Sequence, residues 1–144
     1  MSNRDVEEGG TRATLQAWAD AYSTRSAKAL AALYTVNGVY EDVPSGFSAT
    51  GPDVEGFAQG FLGMVESFEF ILEGLFADGT RGALAWTFRG RNNSFVGDEG
   101  AKGKAIAARV FTAFSFEGGR IARSSDYYDT ASLMRQVGAL PQDG

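Results

Sequence analysis

Two short segments combine carboxylates with tyrosines and are the parts of this sequence best suited to chemistry: Tyr40-Glu41-Asp42 and Asp126-Tyr127-Tyr128-Asp129. The chain contains no histidine and no cysteine. Without histidine, proton transfer near neutral pH requires a carboxylate whose pKa is raised. Without cysteine, thiolate nucleophiles, disulfides and zinc–sulfur sites are excluded. Asp42 and Asp126 are therefore the candidate catalytic residues.

Strand alternation indicates which of these side chains share a face. Tyr40 and Asp42 lie two residues apart, so both point inward if Tyr40 is buried, whereas Glu41 points to solvent. A carboxylate among aromatic rings has its charged form disfavoured, which raises its pKa. A second interpretation of Asp42 is a turn-former before Pro44.

Asp126 and Asp129 also have structural interpretations. Asp126 could cap the last helix or pair with Arg123 or Arg109. Asp129 immediately precedes Thr130-Ala131-Ser132, which predicts that it is the N-cap of that helix.

Composition excludes several classes of function. The net charge is −5 and the basic residues are scattered, so no positive surface for nucleic acid is expected. No apolar run approaches the roughly 18 residues of a membrane span. The first ten residues lack the apolar core of a signal peptide, and the absence of cysteine fits a cytoplasmic location. No metal-ligand spacing and no phosphate-binding glycine loop occurs, so no metal or cofactor is expected.

The N-terminal half is predicted to be helical. Residues 1–10 are interpreted as a flexible leader, and a helix is expected from Thr11 onward. Its apolar stripe is Leu15, Trp18, Ala19 and Tyr22. Ser26 can cap a second, short helix with a buried stripe of Ala29, Leu30, Leu33 and Tyr34.

A strand over Val39–Val43 and a loop over Ser45–Gly51 are expected next, and Pro52 then opens a third helix. The apolar face of that helix places Phe57 as a possible pocket wall.

The C-terminal half is predicted to form four antiparallel strands, at 68–76, 83–92, 104–116 and 121–128, before a last helical turn at 131–137. On the second of these strands Trp86, Phe88 and Asn92 share one face, and Trp86 and Asn92 lie nearest the expected mouth. Arg89 and Arg91 point the other way. The predicted fold is α+β, with three N-terminal helices covering one face of a curved antiparallel sheet to form a cone. Residues 11–144 are expected to form a single domain.

Several segments in this order resemble one known superfamily. They are LAALY at 30–34, VYEDVP at 39–44, FADGT at 76–80, WTFRG at 86–90, FSFEGGRI at 114–121 and SDYYDTASLM at 125–134. The sequence resembles the SnoaL-like polyketide cyclases, in the superfamily shared by ketosteroid isomerase and the nuclear transport factor two (cystatin-like) fold. The resemblance runs from about Leu15 to Val137. It implies the cone-shaped fold and a homodimer formed through the sheet.

The resemblance also implies roles for particular residues. Asp42 falls where ketosteroid isomerases carry their proton-shuttling aspartate, and Trp18 falls where they carry an oxyanion-hole tyrosine. Asp126 falls where SnoaL-like cyclases carry an acid/base aspartate and where limonene epoxide hydrolase carries a water-activating one. Asn92 takes the position of a histidine found in many of the cyclases.

These observations predict a cofactor-free acid/base enzyme that acts on a small hydrophobic carbonyl compound, by isomerisation or aldol-type cyclisation. Asp126 and Asp42 would be catalytic. The substrate-binding residues would be Tyr40, Trp18, Trp86, Asn92, Phe57 and Tyr128. Two alternatives stay open: a module that binds a small molecule without transforming it, and an epoxide or ester hydrolase in which Asp126 activates water.

Overall fold

The computed structural model describes residues 3–141, with side chains from residue 10 onward. Within that range it contains four α-helices, six strands and one short 3-10 helix. The helices are α1 (Asn3–Ser23), α2 (Ala27–Ala31), α3 (Asp53–Met64) and α4 (Thr130–Gln136). The strands are β1 (Tyr34–Asp42), β2 (Phe47–Thr50), β3 (Val65–Asp78), β4 (Arg81–Asn92), β5 (Ala105–Glu117) and β6 (Arg120–Tyr127), and the 3-10 helix is Glu99–Ala101.

The six strands form one curved open sheet in the order β2-β1-β6-β5-β4-β3. The predicted α+β class is confirmed, and so is the curved sheet with helices against it. One pairing differs from the expected antiparallel sheet, because β1 lies parallel to β6. No helix that the structure describes is both long and apolar enough to cross a membrane.

The inner face of the sheet packs against α1 through a cluster of aromatic rings. Trp18 and Tyr22 of α1 both lie 5.7 Å from Trp86 of β4, measured between ring centroids. Phe70 stacks on Trp86 at 4.8 Å. Rings of this size bury large apolar areas, so this cluster forms the centre of the core. The outer face of the sheet carries ion pairs such as Glu41–Arg123 and Glu73–Arg109.

The first helix is longer than its sequence pattern predicted. It begins at Asn3, so residues 3–10, which were expected to belong to a flexible leader, are helical. The prediction followed the apolar stripe, which starts at Leu15. A helix can continue beyond its stripe where no proline interrupts the hydrogen bonds. Residues 1 and 2 of the expected leader lie outside the described part of the chain.

The segment after α1 also differs in detail from the prediction. Ser26 is the N-cap of α2 as predicted, but Ala29 is exposed and Tyr34 begins β1. The dipeptide Asn37-Gly38 is typical of turns, which predicts a turn just before the strand at Val39. It lies instead at an irregularity within β1, where the register against β6 shifts between Tyr34 and Val39.

Part of the expected loop after β1 is the strand β2, which pairs with β1. Gly46, with a φ of 75°, provides the positive angle of the connecting turn.

A bulge between β3 and β4 bends the sheet near its end. The register shifts between Glu66 and Glu69, and Ser67 has a φ of 56°. Gly90 lies opposite the bulge, and a Cβ there would come within 2.5 Å of the Glu66 carbonyl oxygen. The bend therefore requires glycine at this position, and an isolated glycine within a strand pattern is a sequence signal of such a bend.

We expect Gly90→Ala to lower the free energy of unfolding by about 2 kcal/mol, because the added methyl group clashes with backbone. The matched control is Gly56→Ala in α3, where an added Cβ meets no atom within 4 Å. That change should raise stability by about 0.5–1 kcal/mol. Urea unfolding of both variants tests the prediction, and equal midpoints would contradict it.

Candidate active site

The two candidate carboxylates lie side by side on neighbouring strands. Asp42 ends β1 and is in direct register with Asp126 of β6, just as Tyr40 is with Ser124. Residues in register project from the same face of a sheet. The parallel pairing of β1 with β6 therefore brings Asp42 and Asp126 together on the inner face, where the strands end.

Both carboxyl groups open into one cavity of about 490 Å³. Its polar lining consists mainly of Tyr40, Asp42, Ser45, Asp126 and Tyr128. Its apolar walls include Phe47, Phe57, Phe61, Met64, Phe95 and Val96. The cavity thus has an aromatic interior with an acidic pair at one side, which suits a small apolar molecule that carries a polar group.

Asp126 is fixed by two hydroxyl groups. Its Oδ2 accepts a hydrogen bond from the Tyr40 hydroxyl at 2.6 Å, and its Oδ1 accepts one from Thr112 Oγ1 at 2.6 Å. Neither Arg109 nor Arg123 pairs with it, since these pair with Glu73 and Glu41. The N-cap of α4 is Asp129, as predicted, and its side chain accepts from the Ser132 N–H. The interpretations of Asp126 as a helix cap or a surface ion pair are therefore wrong.

Burial raises the pKa of Asp126 to about 7. The hydrogen bonds from Thr112 and Tyr40 stabilise the charged form and oppose this rise, while the nearby charge of Asp42 adds to it. Only 7% of Asp126 is exposed, so desolvation dominates. A carboxyl group with this pKa can both accept and donate a proton near neutral pH.

Asp42 differs from Asp126 because it is half-buried, and its hydrogen-bond partners are two other residues that line the cavity. Its Oδ2 accepts hydrogen bonds from Ser45 Oγ at 2.5 Å and from the Tyr128 hydroxyl at 3.0 Å. Burial, and next the bond to Asp42, raise the pKa of Tyr128. Tyr128 therefore stays protonated and can donate a hydrogen bond.

Five of the predicted site residues line the cavity, namely Asp42, Asp126, Tyr40, Phe57 and Tyr128. Trp18 and Trp86, which were predicted to bind substrate, do not line the cavity, because both are fully buried in the aromatic cluster. Trp86 Nε1 donates to Thr112 Oγ1 at 2.9 Å, and Trp18 Nε1 donates to the Tyr34 hydroxyl at 3.1 Å. The apolar stripe of α1 and the alternation of β4 predicted the faces of Trp18 and Trp86 correctly, but not the depth of either residue within the core.

Asn92 also lies away from the cavity, contrary to the prediction. Its Nδ2 donates to the carbonyl oxygens of Val96 and Ala101, and its Oδ1 accepts from the backbone N–H groups of Phe95 and Val96. A buried amide must satisfy both its donors and its acceptor. The four hydrogen bonds of Asn92 do so, and they hold the loop between β4 and β5 in a conformation that places Phe95 and Val96 in the cavity wall.

Two residues that shape the site were not among the predicted site residues. Thr112 falls where the resemblance to ketosteroid isomerases implies a protonated aspartate on the third long strand, and its alternation with Val110 and Phe114 puts it on the inner face of β5 beside Asp126. Phe95 belongs to a loop with no periodicity, so no sequence signal could have placed it in the cavity wall. Among the described residues, no group of three or more acidic side chains is arranged to hold a metal ion.

These features define a class of protein: a curved α+β domain whose apolar cavity contains a buried carboxyl group at the end of the last long strand. The chain belongs to the SnoaL-like polyketide cyclase family, whose model matches residues 12–137. No curated protein is significantly similar to the chain in sequence.

Solved structures share the fold at low sequence identity. A protein with a ketosteroid isomerase-like fold from Catenulispora acidiphila is 23% identical with a TM-score of 0.74, covering 89% of this chain and 93% of its own. A candidate SnoaL-like polyketide cyclase from a Jannaschia species is 14% identical with a TM-score of 0.80, covering 98% and 100%. An epoxide hydrolase of M. tuberculosis, described as LEH-like, is 20% identical with a TM-score of 0.70, covering 91% of each chain. At these identities the likeness shows the fold alone.

The raised pKa of Asp126 predicts a pH-dependent loss of stability. Between the unfolded value of roughly 4 and the folded value of about 7, the folded state binds more protons than the unfolded state. Stability from this group is complete below pH 4 and is lost as the pH rises through 7. The free energy of unfolding of the wild type, relative to Asp126→Asn, should therefore fall by roughly 4 kcal/mol from pH 4 to pH 8.

Chemical denaturation at several pH values measures this difference. Asp20→Asn, at an exposed position of α1, is the control and should keep the wild-type slope. Parallel curves for the wild type and Asp126→Asn would contradict the prediction.

Proposed function

We propose that this protein is a cofactor-free acid/base enzyme that transfers a proton on a small hydrophobic carbonyl compound, by isomerisation or aldol-type cyclisation. One observation carries the proposal: Asp126 is a buried carboxyl group with a pKa of about 7, and it opens into an apolar cavity. Perturbed carboxyl groups in cavities are characteristic of sites of proton transfer.

Asp126 would act first as a general base. Its carboxylate removes a proton from a carbon next to the substrate carbonyl, which leaves an enolate and a neutral Asp126. In isomerisation, Asp126 returns that proton to a different carbon. In cyclisation, the enolate carbon forms a bond to a second carbonyl carbon of the same molecule, whose C=O π bond breaks, and the resulting alkoxide takes up the proton held by Asp126, which regenerates the carboxylate. Either route conserves protons and needs no oxidant or reductant.

The developing oxyanion needs a hydrogen-bond donor at the mouth of the cavity. The Tyr128 and Ser45 hydroxyls now donate to Asp42, and a substrate oxygen that approached Asp42 could accept from either of them instead. Asp42 would thus hold these donors in place. Tyr40 is unsuited to this role because its proton is already directed at Asp126.

A non-catalytic binding module is the second candidate, and one observation favours it. The hydroxyl donors of Tyr40, Ser45 and Tyr128 are all engaged with carboxylates. A ligand must compete for them before an oxyanion is stabilised. The aromatic walls alone would suffice to bind a small apolar molecule.

Hydrolysis with Asp126 activating water has less support. Arg89 pairs with Glu69, and Arg91 donates to the Gly103 carbonyl oxygen, both at exposed positions. Neither arginine is among the residues that line the cavity. The two arginines of β4 are therefore not placed to polarise the oxygen of an epoxide bound beside Asp126.

Base catalysis by Asp126 predicts that kcat/KM rises with pH to a plateau, with a midpoint near 7, because the carboxylate is the active form. Deuterium incorporation next to the carbonyl of a bicyclic ketone such as 2-tetralone provides the assay. Asp126→Asn should slow exchange by roughly 10²–10⁴-fold, whereas Asp20→Asn should not. Ketone binding without exchange, equal in the wild type and Asp126→Asn, would instead identify a binding module.

A homodimer through the outer face of the sheet is also proposed. Phe76, Phe111 and Tyr127 are about half exposed there, beside the ion pairs of Glu73 and Glu41. Exposed aromatic residues rimmed by charges are typical of protein interfaces.

We expect sedimentation equilibrium at micromolar concentration to give a dimer, and Phe111→Glu to give a monomer, because the charge would be buried without a partner. Val36→Glu, at an exposed residue of β1, is the control and should stay dimeric. A monomeric wild type would overturn the proposal.

A further inference from the structure

The two oxygens of Asp126 terminate two hydrogen-bond chains that begin deep in the core. On one side, Trp86 Nε1 donates to Thr112 Oγ1, which donates to Oδ1 of Asp126. An indole N–H can only donate. The Thr112 oxygen must therefore accept from Trp86, and its single proton is left for Asp126.

The second chain runs from α1 through β1. The hydroxyl groups of Tyr22 and Tyr40 lie 2.8 Å apart, and Tyr40 donates to Oδ2 of Asp126. Tyr22 is 1% exposed, and within the described part of the chain its hydroxyl has Tyr40 as its one hydrogen-bond partner. Its proton can be satisfied only by the Tyr40 oxygen. Both chains are therefore directed toward Asp126.

This direction restricts where a proton can reside on neutral Asp126. A proton on the inward side of Oδ1 or Oδ2 would face a hydroxyl that already points at the carboxyl group. If that hydroxyl turned to accept the carboxyl proton, a buried O–H of Thr112, Tyr40 or Tyr22 would be left without an acceptor, which is unfavourable. The cavity-facing side of the carboxyl group carries no such conflict, since Asp126 lines the cavity.

We propose that Tyr22 and Trp86 are positioning residues: by fixing the direction of both chains, they confine the exchangeable proton of Asp126 to the side that faces the cavity. The inference rests on the proposed function, because a proton held there is the one that a substrate carbon can receive or supply. Neither residue lines the cavity.

A third chain in the same core offers a matched control. Trp18 Nε1 donates to the Tyr34 hydroxyl, which lies 2.6 Å from Ser124 Oγ. This chain contains the same residue types at equal burial but ends at Ser124. Tyr34 also stacks against Tyr40 at 6.1 Å, so its ring occupies a comparable environment.

The ionisable groups around Asp126 are few. Asp42 and Tyr40 approach from β1, Tyr22 from α1, and Tyr34 and Tyr128 interact with it electrostatically. Burial is the main cause that raises the pKa of all four tyrosines, so they stay neutral across the range in which Asp126 titrates. Asp42 is present in every variant below, so its electrostatic effect on Asp126 is common to all of them.

Carbon-detected NMR titration of the Asp126 carboxyl group tests the proposal on the intact protein. Loss of the Tyr22 hydroxyl makes Tyr40 a weaker donor, which weakens the stabilisation of the carboxylate. Tyr22→Phe should therefore raise the pKa of Asp126 by roughly half a unit. Tyr34→Phe, which removes an equally buried hydroxyl from the other chain, should leave it unchanged. Equal shifts in both variants, or none in Tyr22→Phe, would overturn the proposal.

If Tyr22→Phe does not give a folded protein, Trp86→Phe and Trp18→Phe form a second pair with the same logic. Trp86→Phe should raise the pKa of Asp126 and Trp18→Phe should not; the reverse order or equal values would overturn the proposal. The titration needs no substrate. If the variants show the expected pKa shifts but the wild type gives no deuterium exchange, the proposed function is refuted. If the pKa shifts are absent, the positioning roles are refuted.

Discussion

The candidate site depends on the balance between desolvation and hydrogen bonding at a single carboxyl group. Asp126 is almost fully buried, which alone would make its charged form very unfavourable. Donors from Tyr40 and Thr112 recover part of the lost hydration, so the pKa is near 7. Without these donors the pKa of the carboxyl group would be higher still. With full exposure it would be an ordinary surface carboxylate.

The fold supplies this environment through two features of the sheet. The parallel pairing of β1 with β6 sets Asp42 beside Asp126 and aligns Tyr40 with Ser124. The bulge at Ser67, opposite Gly90, bends β3 and β4. The loop folded by Asn92 then completes the cavity wall with Phe95 and Val96. The site is thus assembled from segments that are distant in sequence.

The polar groups in the core connect stability with chemistry. Trp86, Thr112, Tyr22 and Tyr40 are each buried, and each buried donor needs an acceptor. The structure satisfies them in chains that end at Asp126. The same groups that would destabilise the core if left unpaired therefore define the electrostatic environment of the carboxyl group.

The sequence by itself determined the fold class, the family, the caps at Ser26 and Asp129, and the inward direction of Tyr40 and Asp42. Caps and alternation are local properties, which is why a sequence reveals them. Only the tertiary structure decided that Trp18 and Trp86 lie too deep in the core to line the cavity, and that Asn92 organises a loop. Alternation gives the face of a strand but not the distance of a residue from the cavity. That distance depends on strand pairing, on the bulge and on the loop, none of which leaves a periodic signal in the sequence.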